Sequence, residues 1–174
     1  MIARVGPDER LVRVRMGRFN RDSVRGPGTV FLVPIIDRGV RVSLLPQHYR
    51  LDALPVAASD GAGLLVDVEV DFTVVDAFEF VFDLIPPPAG LRGVVRGGLR
   101  SVLEGMPGGA AHFPGDIEAA VAPLVEERLA RAGVRDVVVR VTGVRGGSIE
   151  GADEAEFQAL LRQEGMAGSY RRPK

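Results

Sequence analysis

The two histidines and Ser101 are among the residues of this chain whose side chains could act as catalysts or metal ligands. His48 and His112 lie far apart, and neither belongs to the H-x-x-x-H or H-E-x-x-H spacing that places two ligands on one helix face. Ser101 lies inside a helical pattern rather than on the Gly-x-Ser-x-Gly turn that exposes a nucleophile. Because the chain has no cysteine, thiol chemistry and disulfides are excluded. We therefore expect no enzymatic activity, no metal and no cofactor.

Three carboxylates alternate with apolar residues in one segment. Asp67, Glu69 and Asp71 share one face of a predicted strand, and the other face is purely apolar from Val66 to Phe72. Such a row could bind a cation, but Ca²⁺ sites use tight turns that wrap the ion, which a flat strand does not offer. We therefore expect cross-strand ion pairs. The arginines that could supply them are Arg13, Arg15, Arg41 and Arg140.

A second charged set lies in a predicted helix. Arg92, Arg96 and Arg100 recur every four residues, so their guanidinium groups share one face. This stripe could contact acidic lipid headgroups or an acidic patch of a partner; the alternative is an ordinary solvated face. The glycines between them fit neither a P-loop nor a strand-linked G-x-G-x-x-G pattern, so we expect them to allow close helix packing. They are Gly90, Gly93, Gly97 and Gly98.

The composition limits the function further. The 174 residues have 46% hydrophobic content, enough for one packed domain or two small subdomains that share a core. With 22 basic and 23 acidic residues the net charge is -1, which argues against a nucleic-acid partner. We find no signal peptide and no apolar run long enough to span a membrane, so we expect a cytoplasmic protein.

The order of periodic patterns predicts an α+β fold. Period-two alternation predicts strands around Val12–Met16, Val40–Leu44, Val66–Phe72 and Val137–Val141, with Asp60-Gly61 as a hairpin turn. Helical spacing follows the prolines at 86–88 and runs to Met106. A further helix is expected from Asp116 as N-cap, interrupted by Pro123 and ended by Gly133.

The segment Gly26–Arg38 reads G-P-G-T-V-F-L-V-P-I-I-D-R. Its glycines permit unusual φ angles, and Pro34 bends the apolar run. The order of residues resembles the GPGLHFxxPxxD motif of the stomatin–prohibitin–flotillin (SPFH, band 7) family. Four more segments resemble family motifs in the same order: residues 6–18 (PGERGVVxRLGR), 59–75 (TKDGVxVxVDxxVxYRVxD), 99–103 (LRsvLg) and 130–144 (A-x-x-G-V-x-V-x-x-V-x-I).

This resemblance implies a curved, mostly antiparallel sheet packed by helices, in a domain at residues 1–145 with a strand-rich half (1–75) and a helix-containing half (76–145). It also implies a scaffold domain that self-associates and sits peripherally at the inner face of the membrane. Its partners would be copies of itself or other band 7 proteins, with a membrane protease or channel as a further class. The alternative is a soluble protein-binding module without membrane contact.

The match begins near Met1, so we expect no hydrophobic anchor before it, and we expect the residues after Arg145 to be too short for a long coiled coil. Residues 146–174 are expected to form a linker, a short amphipathic helix and a basic tail. The candidate membrane contact is Phe31, Leu32, Val33, Ile35 and Ile36, and the candidate tail interface is Phe157, Leu160 and Leu161. The apolar group from Phe78 to Ile85 is expected to pack in the core.

Overall fold

The structure, a computed structural model, describes residues 1–84, 87–107 and 113–146. The strands within these residues are β1 (Ile2–Val5), β2 (Glu9–Arg15), β3 (Val24–Arg25), β4 (Gly28–Phe31), β5 (Asp37–Ser43), β6 (Gln47–Ala57), β7 (Gly63–Val74) and β8 (Val134–Gly146). The helices are α1 (Ala77–Leu84), α2 (Pro87–Leu103) and α3 (Pro114–Arg131), with one 3₁₀ turn at Arg21–Ser23. The predicted α+β class is confirmed.

The main sheet has three antiparallel strands in the order β6-β7-β8. β7 is hydrogen-bonded along both edges, and every second residue from Leu64 to Val74 is buried. The β6–β7 hairpin turns at Asp60-Gly61 as expected, with Gly61 at φ 79°. β7 is therefore the centre around which the rest of the domain packs.

Helices α2 and α3 cover the apolar face of this sheet. Each buries one residue per turn at i, i+4 spacing, so each presents a single apolar stripe. These residues are Leu91, Val95, Leu99 and Leu103 of α2 and Ile117, Val121, Val125 and Leu129 of α3. The helical spacing predicted a buried stripe that is confirmed for Leu91, Val95 and Leu103, with Leu99 as an addition. The other predicted members, Val94, Val102 and Met106, are only partly buried.

The boundaries of α3 differ from the prediction. The helix begins at Pro114, because a proline in the first position needs no N–H partner, and Phe113 precedes it as the cap residue. Asp116 therefore lies inside the first turn rather than at the N-cap, where its charge still favours the helix start. Pro123 lies within the helix and does not end it. Gly133, at φ 73°, follows the helix as predicted.

Helix α1 was not predicted from the sequence. The Asp76 carboxylate accepts hydrogen bonds from the backbone N–H groups of Phe78 and Glu79, at 2.9 and 3.2 Å, which satisfies the free amides of the first turn. Phe80 and Leu84 are buried in the core as expected of the Phe78–Ile85 group, although Phe82 is half exposed. Ile85 lies outside the described residues.

Strands β1 to β5 form two smaller sheets, β3-β2-β5 and β1-β4. β2 contributes to two hydrophobic clusters: Val12 joins the main core, and Leu11 joins a small cluster with Ala3, Val5 and Leu32. The prediction that this strand extends to Met16 and buries its side chain is wrong. β2 stops at Arg15, and Met16 is 79% exposed in the following turn.

The glycines of α2 divide into two kinds. A Cβ on Gly90 would lie 2.6 Å from the Leu84 Cα, and a Cβ on Gly98 would lie 3.1 Å from Val125 Cγ2, so both permit close packing as predicted. A Cβ on Gly93 or Gly97 would meet nothing within 4 Å, and for these two the packing explanation is wrong.

This difference predicts opposite effects of one substitution. Gly90→Ala should lower the free energy of unfolding by about 2 kcal/mol, because the added methyl group meets backbone that cannot move aside. Gly93→Ala should raise it by about 0.5–1 kcal/mol through helix propensity alone. Urea denaturation of both variants checks this, and equal effects would contradict the packing at Gly90.

Candidate functional site

Two neighbouring turns carry exposed apolar side chains at one end of β2 and β5. Residues 15–18 form a tight turn closed by hydrogen bonds between Arg15 and Arg18, with Met16 at φ 50° and Gly17 at φ 76°. The second turn places Ile35 at φ 80°, fully exposed, beside the partly exposed Ile36. The Met16 N–H donates to the Ile36 carbonyl at 2.8 Å, which joins the two turns. We call Met16, Ile35 and Ile36 the apolar tip.

The backbone of the apolar tip is strained. Positive φ is unfavourable for a side chain with a Cβ and most so for a β-branched residue such as Ile35. Of the four non-glycine residues with positive φ in the described chain, two are Met16 and Ile35. Strain of this kind, of order 1–3 kcal/mol per residue, collects at functional sites.

Asp37 holds the second turn in place. Its carboxylate accepts two hydrogen bonds from the Arg15 guanidinium, at 2.7 and 3.1 Å, and one from the Val33 N–H at 3.0 Å. The Asp37 N–H in turn donates to the Val33 carbonyl at 2.9 Å. The Arg15 hydrogen bond, then the Val33 amide, lower the pKa of Asp37 from 3.8 to about 2. The ionised carboxylate therefore stabilises the strained turn.

The five residues of the predicted membrane contact do not share one environment. Ile35, Ile36 and Phe31 are exposed, Val33 is half-buried, and Leu32 is 2% exposed in the small hydrophobic cluster. Leu32 is therefore removed from the predicted contact, because its side chain fills the space above Gly39. Gly28 takes a positive φ of 132° as expected, whereas Gly26 does not.

Sequence reasoning missed two exposed apolar residues beside this contact. Ile2 lies directly opposite Phe31 in the β1–β4 pair, and the two are 70% and 65% exposed. Met16 was assigned to a buried strand face. The signal that could have identified Met16 is the following glycine, since Met16-Gly17 ends the alternating pattern in a turn.

The outer face of the main sheet carries ion pairs. Asp71 pairs with Arg140 of β8 and shares a 2.6 Å hydrogen bond with His48 of β6, and these contacts lower the pKa of the Asp71 carboxyl below 3.8. Asp67 pairs with Arg145 at 3.0 Å. The predicted cross-strand pairing is thus confirmed through Arg140, while Arg145 and His48 were missed as partners.

Asp67 has a second role on this face. Its Oδ1 accepts the Ala53 N–H at 2.7 Å, where the β6–β7 register shifts between Leu51 and Leu54 and Ala53 takes φ 53°. The Asp67 carboxylate therefore stabilises the irregular backbone of β6 and also pairs with the Arg145 guanidinium. Among the described residues, no group of three or more His, Asp or Glu side chains is arranged to hold a metal ion.

The three arginines of the α2 stripe differ in their exposure to solvent. Arg92 and Arg96 are half-buried, and the Arg92 guanidinium donates to the Asp52 carbonyl of β6 at 3.2 Å. Arg100 is exposed at the end of the helix. Ser101 bonds to the Gly97 carbonyl within the helix, at 3.1 Å.

His112 and the predicted tail interface of Phe157, Leu160 and Leu161 lie outside the described residues. Within the part of the chain that the structure describes, no helix combines the length and the apolar character needed to cross a membrane.

Comparison with known proteins gives the family. The sequence model of the SPFH domain / Band 7 family matches residues 3–166. The chain therefore belongs to the SPFH domain / Band 7 family, which confirms the resemblance found in its motifs. Membership supports a domain of scaffold type, in a family that is generally non-enzymatic.

The chain is similar to several curated proteins. It is 37% identical over 68 residues to Stomatin-like protein 1 of Homo sapiens, 28% over 95 residues to Stomatin-3 of Caenorhabditis elegans, and 32% over 68 residues to Protein unc-1 of Caenorhabditis elegans. The aligned parts cover 39%, 55% and 39% of this chain. They cover 17%, 36% and 24% of the relatives, so the chain spans well under two thirds of their length.

The Asp37 contacts predict a pH dependence. Because the folded-state pKa is depressed, the stabilisation is complete above pH 3.8 and is lost as the pH falls towards about 2. Asp37→Asn should therefore be less stable than the wild type at neutral pH, and the difference should shrink through this acid range. Urea denaturation at several pH values checks this, and a pH-independent difference would contradict it.

Because Asp67 has two roles, its removal should destabilise the fold more than removal of the neighbouring Glu69. Asp67→Ala should lower the free energy of unfolding by about 2 kcal/mol, because it removes a charged hydrogen-bond acceptor from Ala53 and Arg145. Glu69→Ala, on the same strand face, should cost under about 1 kcal/mol, as expected of a half-buried cross-strand charge. Thermal and urea unfolding check this, and equal losses would refute the role of Asp67.

Proposed function

We propose that this chain is a non-enzymatic scaffold domain that contacts a membrane peripherally through its apolar tip. It associates with copies of itself or with other band 7 proteins, and in this way organises or regulates partner proteins. A membrane protease or channel is the partner class that the family resemblance suggests. The proposed location is cytoplasmic, at the inner face of the membrane.

The observation that carries the proposal is the exposure of Ile35 at a positive φ. A folded domain has little reason to keep a β-branched apolar residue both strained and fully exposed. Burial of this side chain in an apolar phase would compensate the strain, which supports a bilayer contact. Phe31 and Ile2 add apolar surface a few residues away along the chain and across one strand pair.

The charges beside the apolar tip fit an anionic surface. Arg15, Arg18 and Arg38 lie next to Met16 and Ile36 in the two turns. Each arginine near an anionic membrane contributes about 1 kcal/mol, and a few inserted aliphatic groups contribute about 0.8 kcal/mol per buried CH₂. The sum favours reversible rather than permanent attachment.

The same proposal includes the remaining candidate contacts. Arg96 and Arg100 of α2 are offered as contacts to lipid or to an acidic partner, with Arg92 directed towards β6 instead. Phe157, Leu160 and Leu161 are proposed to bind the domain or a second chain.

The membrane contact is tested by vesicle co-sedimentation. Ile35→Asp should abolish binding, because it places a charge in the apolar phase. Ile35→Gly should also weaken binding while it stabilises the fold by about 1 kcal/mol, because glycine removes the strain at φ 80°. The control is Leu45→Asp, since Leu45 is 55% exposed beyond the opposite end of β5 and should leave binding unchanged.

Measuring both vesicle binding and fold stability distinguishes loss of the membrane contact from loss of folding. A more stable Ile35→Gly variant that binds vesicles as well as the wild type would overturn the membrane contact. A wild-type protein that binds no vesicles would favour the alternative, a soluble protein-binding module without membrane contact.

A further inference from the structure

An open cavity of about 680 Å³ lies beside the apolar tip. The polar residues that line it include Arg13, Arg15, Arg18, Asn20, Asp22 and Arg25, and Met16 and Phe19 form apolar parts of its wall. The backbone explains this concentration of arginine: Arg13 and Arg15 share one face of β2, Arg18 lies across the turn from Arg15, and Arg25 lies on β3 beside the same face. The volume is in the range of small-ligand sites.

The charges in this cavity are not balanced. Arg15 is bound by Asp37, as described above, and Asp22 is the carboxylate that lines the cavity. Among the described residues, the guanidinium groups of Arg13, Arg18 and Arg25 donate no hydrogen bond and form no direct ion pair, although Arg13 also interacts electrostatically with the Asp37 carboxylate. Four arginines thus face the carboxylates of Asp22 and Asp37, which leaves an excess of positive charge in a concave space and favours a bound anion.

We propose that this cavity binds a phosphomonoester, the terminal phosphate of an anionic lipid headgroup. Arginine is suited to this ligand because its planar guanidinium bonds two phosphate oxygens at once. A phosphomonoester offers three strong acceptor oxygens and up to two charges near neutral pH, which matches the excess of positive charge in this cavity. The Asn20 side chain adds a polar group to the same wall.

The position of the cavity identifies the lipid as the source. Met16 lines both this cavity and the adjoining hollow that contains Ile35 and Ile36. An apolar tip inserted between acyl chains would therefore bring the cavity to the level of the headgroups. The inference rests on the proposed function, since it assigns a ligand to the same membrane-facing end.

The test uses the full chain and vesicles of defined composition. Phosphatidylcholine vesicles are doped with phosphatidic acid, a phosphomonoester, or with phosphatidylserine at matched surface charge. The double variant Arg13→Gln, Arg18→Gln should lose on the order of 25-fold in affinity for the phosphatidic acid vesicles, about fivefold per arginine. The matched control is Arg131→Gln, Arg135→Gln, which removes two exposed arginines near the α3–β8 junction and should change affinity by less than about twofold.

A solution arm distinguishes lipid from free phosphate. Inorganic phosphate is titrated while the NMR signals of the arginine Nε–H groups are followed. The inference expects weak shifts confined to Arg13, Arg18 and Arg25, and competition by phosphatidic acid vesicles. Saturable phosphate binding that these vesicles do not displace would overturn the lipid source.

The failures of the two proposals are distinguishable. If the wild type binds phosphatidic acid no better than phosphatidylserine, or if both double variants lose affinity equally, the phosphate site is overturned. The membrane contact then still stands on the Ile35 variants. If the wild type binds none of the vesicles, the proposed function and the lipid headgroup site fail together.

Discussion

The structure depends on the two faces of one strand. β7 alternates fully buried apolar residues with carboxylates, and it is hydrogen-bonded to β6 and β8 along both edges. The positions of helices α2 and α3 follow from this, because the two helices must cover its apolar face. Asp67 and Asp71 lie on the other face, where they pair with Arg145 and Arg140 of β8, and Asp71 also shares a hydrogen bond with His48 of β6. A one-residue shift of register would exchange the two faces and bury the carboxylates.

The backbone of the apolar tip departs from local conformational preferences. The main sheet agrees with local preferences, whereas the tip places Met16 and Ile35 in conformations that such residues avoid. Asp37 and Arg15 hold these turns with hydrogen bonds and charge, which offsets part of the local conformational cost. This concentration of strain, apolar exposure and arginine is the reason we propose this end of the domain as its membrane contact.

Elements with strict periodicity were predictable. The alternation of Val66 to Phe72, the turn at Gly61 and the stripes of α2 and α3 each depend on neighbours in sequence, and each was found. Helix α1 was missed because its aromatic residues suit strand and helix equally. The distinguishing feature was the Asp76 N-cap with Glu79 three residues later. The positions of Phe31, Leu32 and Ile35 could not be read from their shared apolar character, since neighbouring residues in a bent segment face different surroundings.

The sequence by itself determined the family, the α+β class and the two-faced central strand, because motif order and periodicity are properties of the chain alone. Only the tertiary structure decided which cations meet the carboxylates of β7, which residues of Gly26–Arg38 remain exposed, and that four arginines from β2, a turn and β3 line one cavity. These facts join residues far apart in the sequence. They depend on strand pairing and on the available space above each side chain, and local pattern does not specify either one.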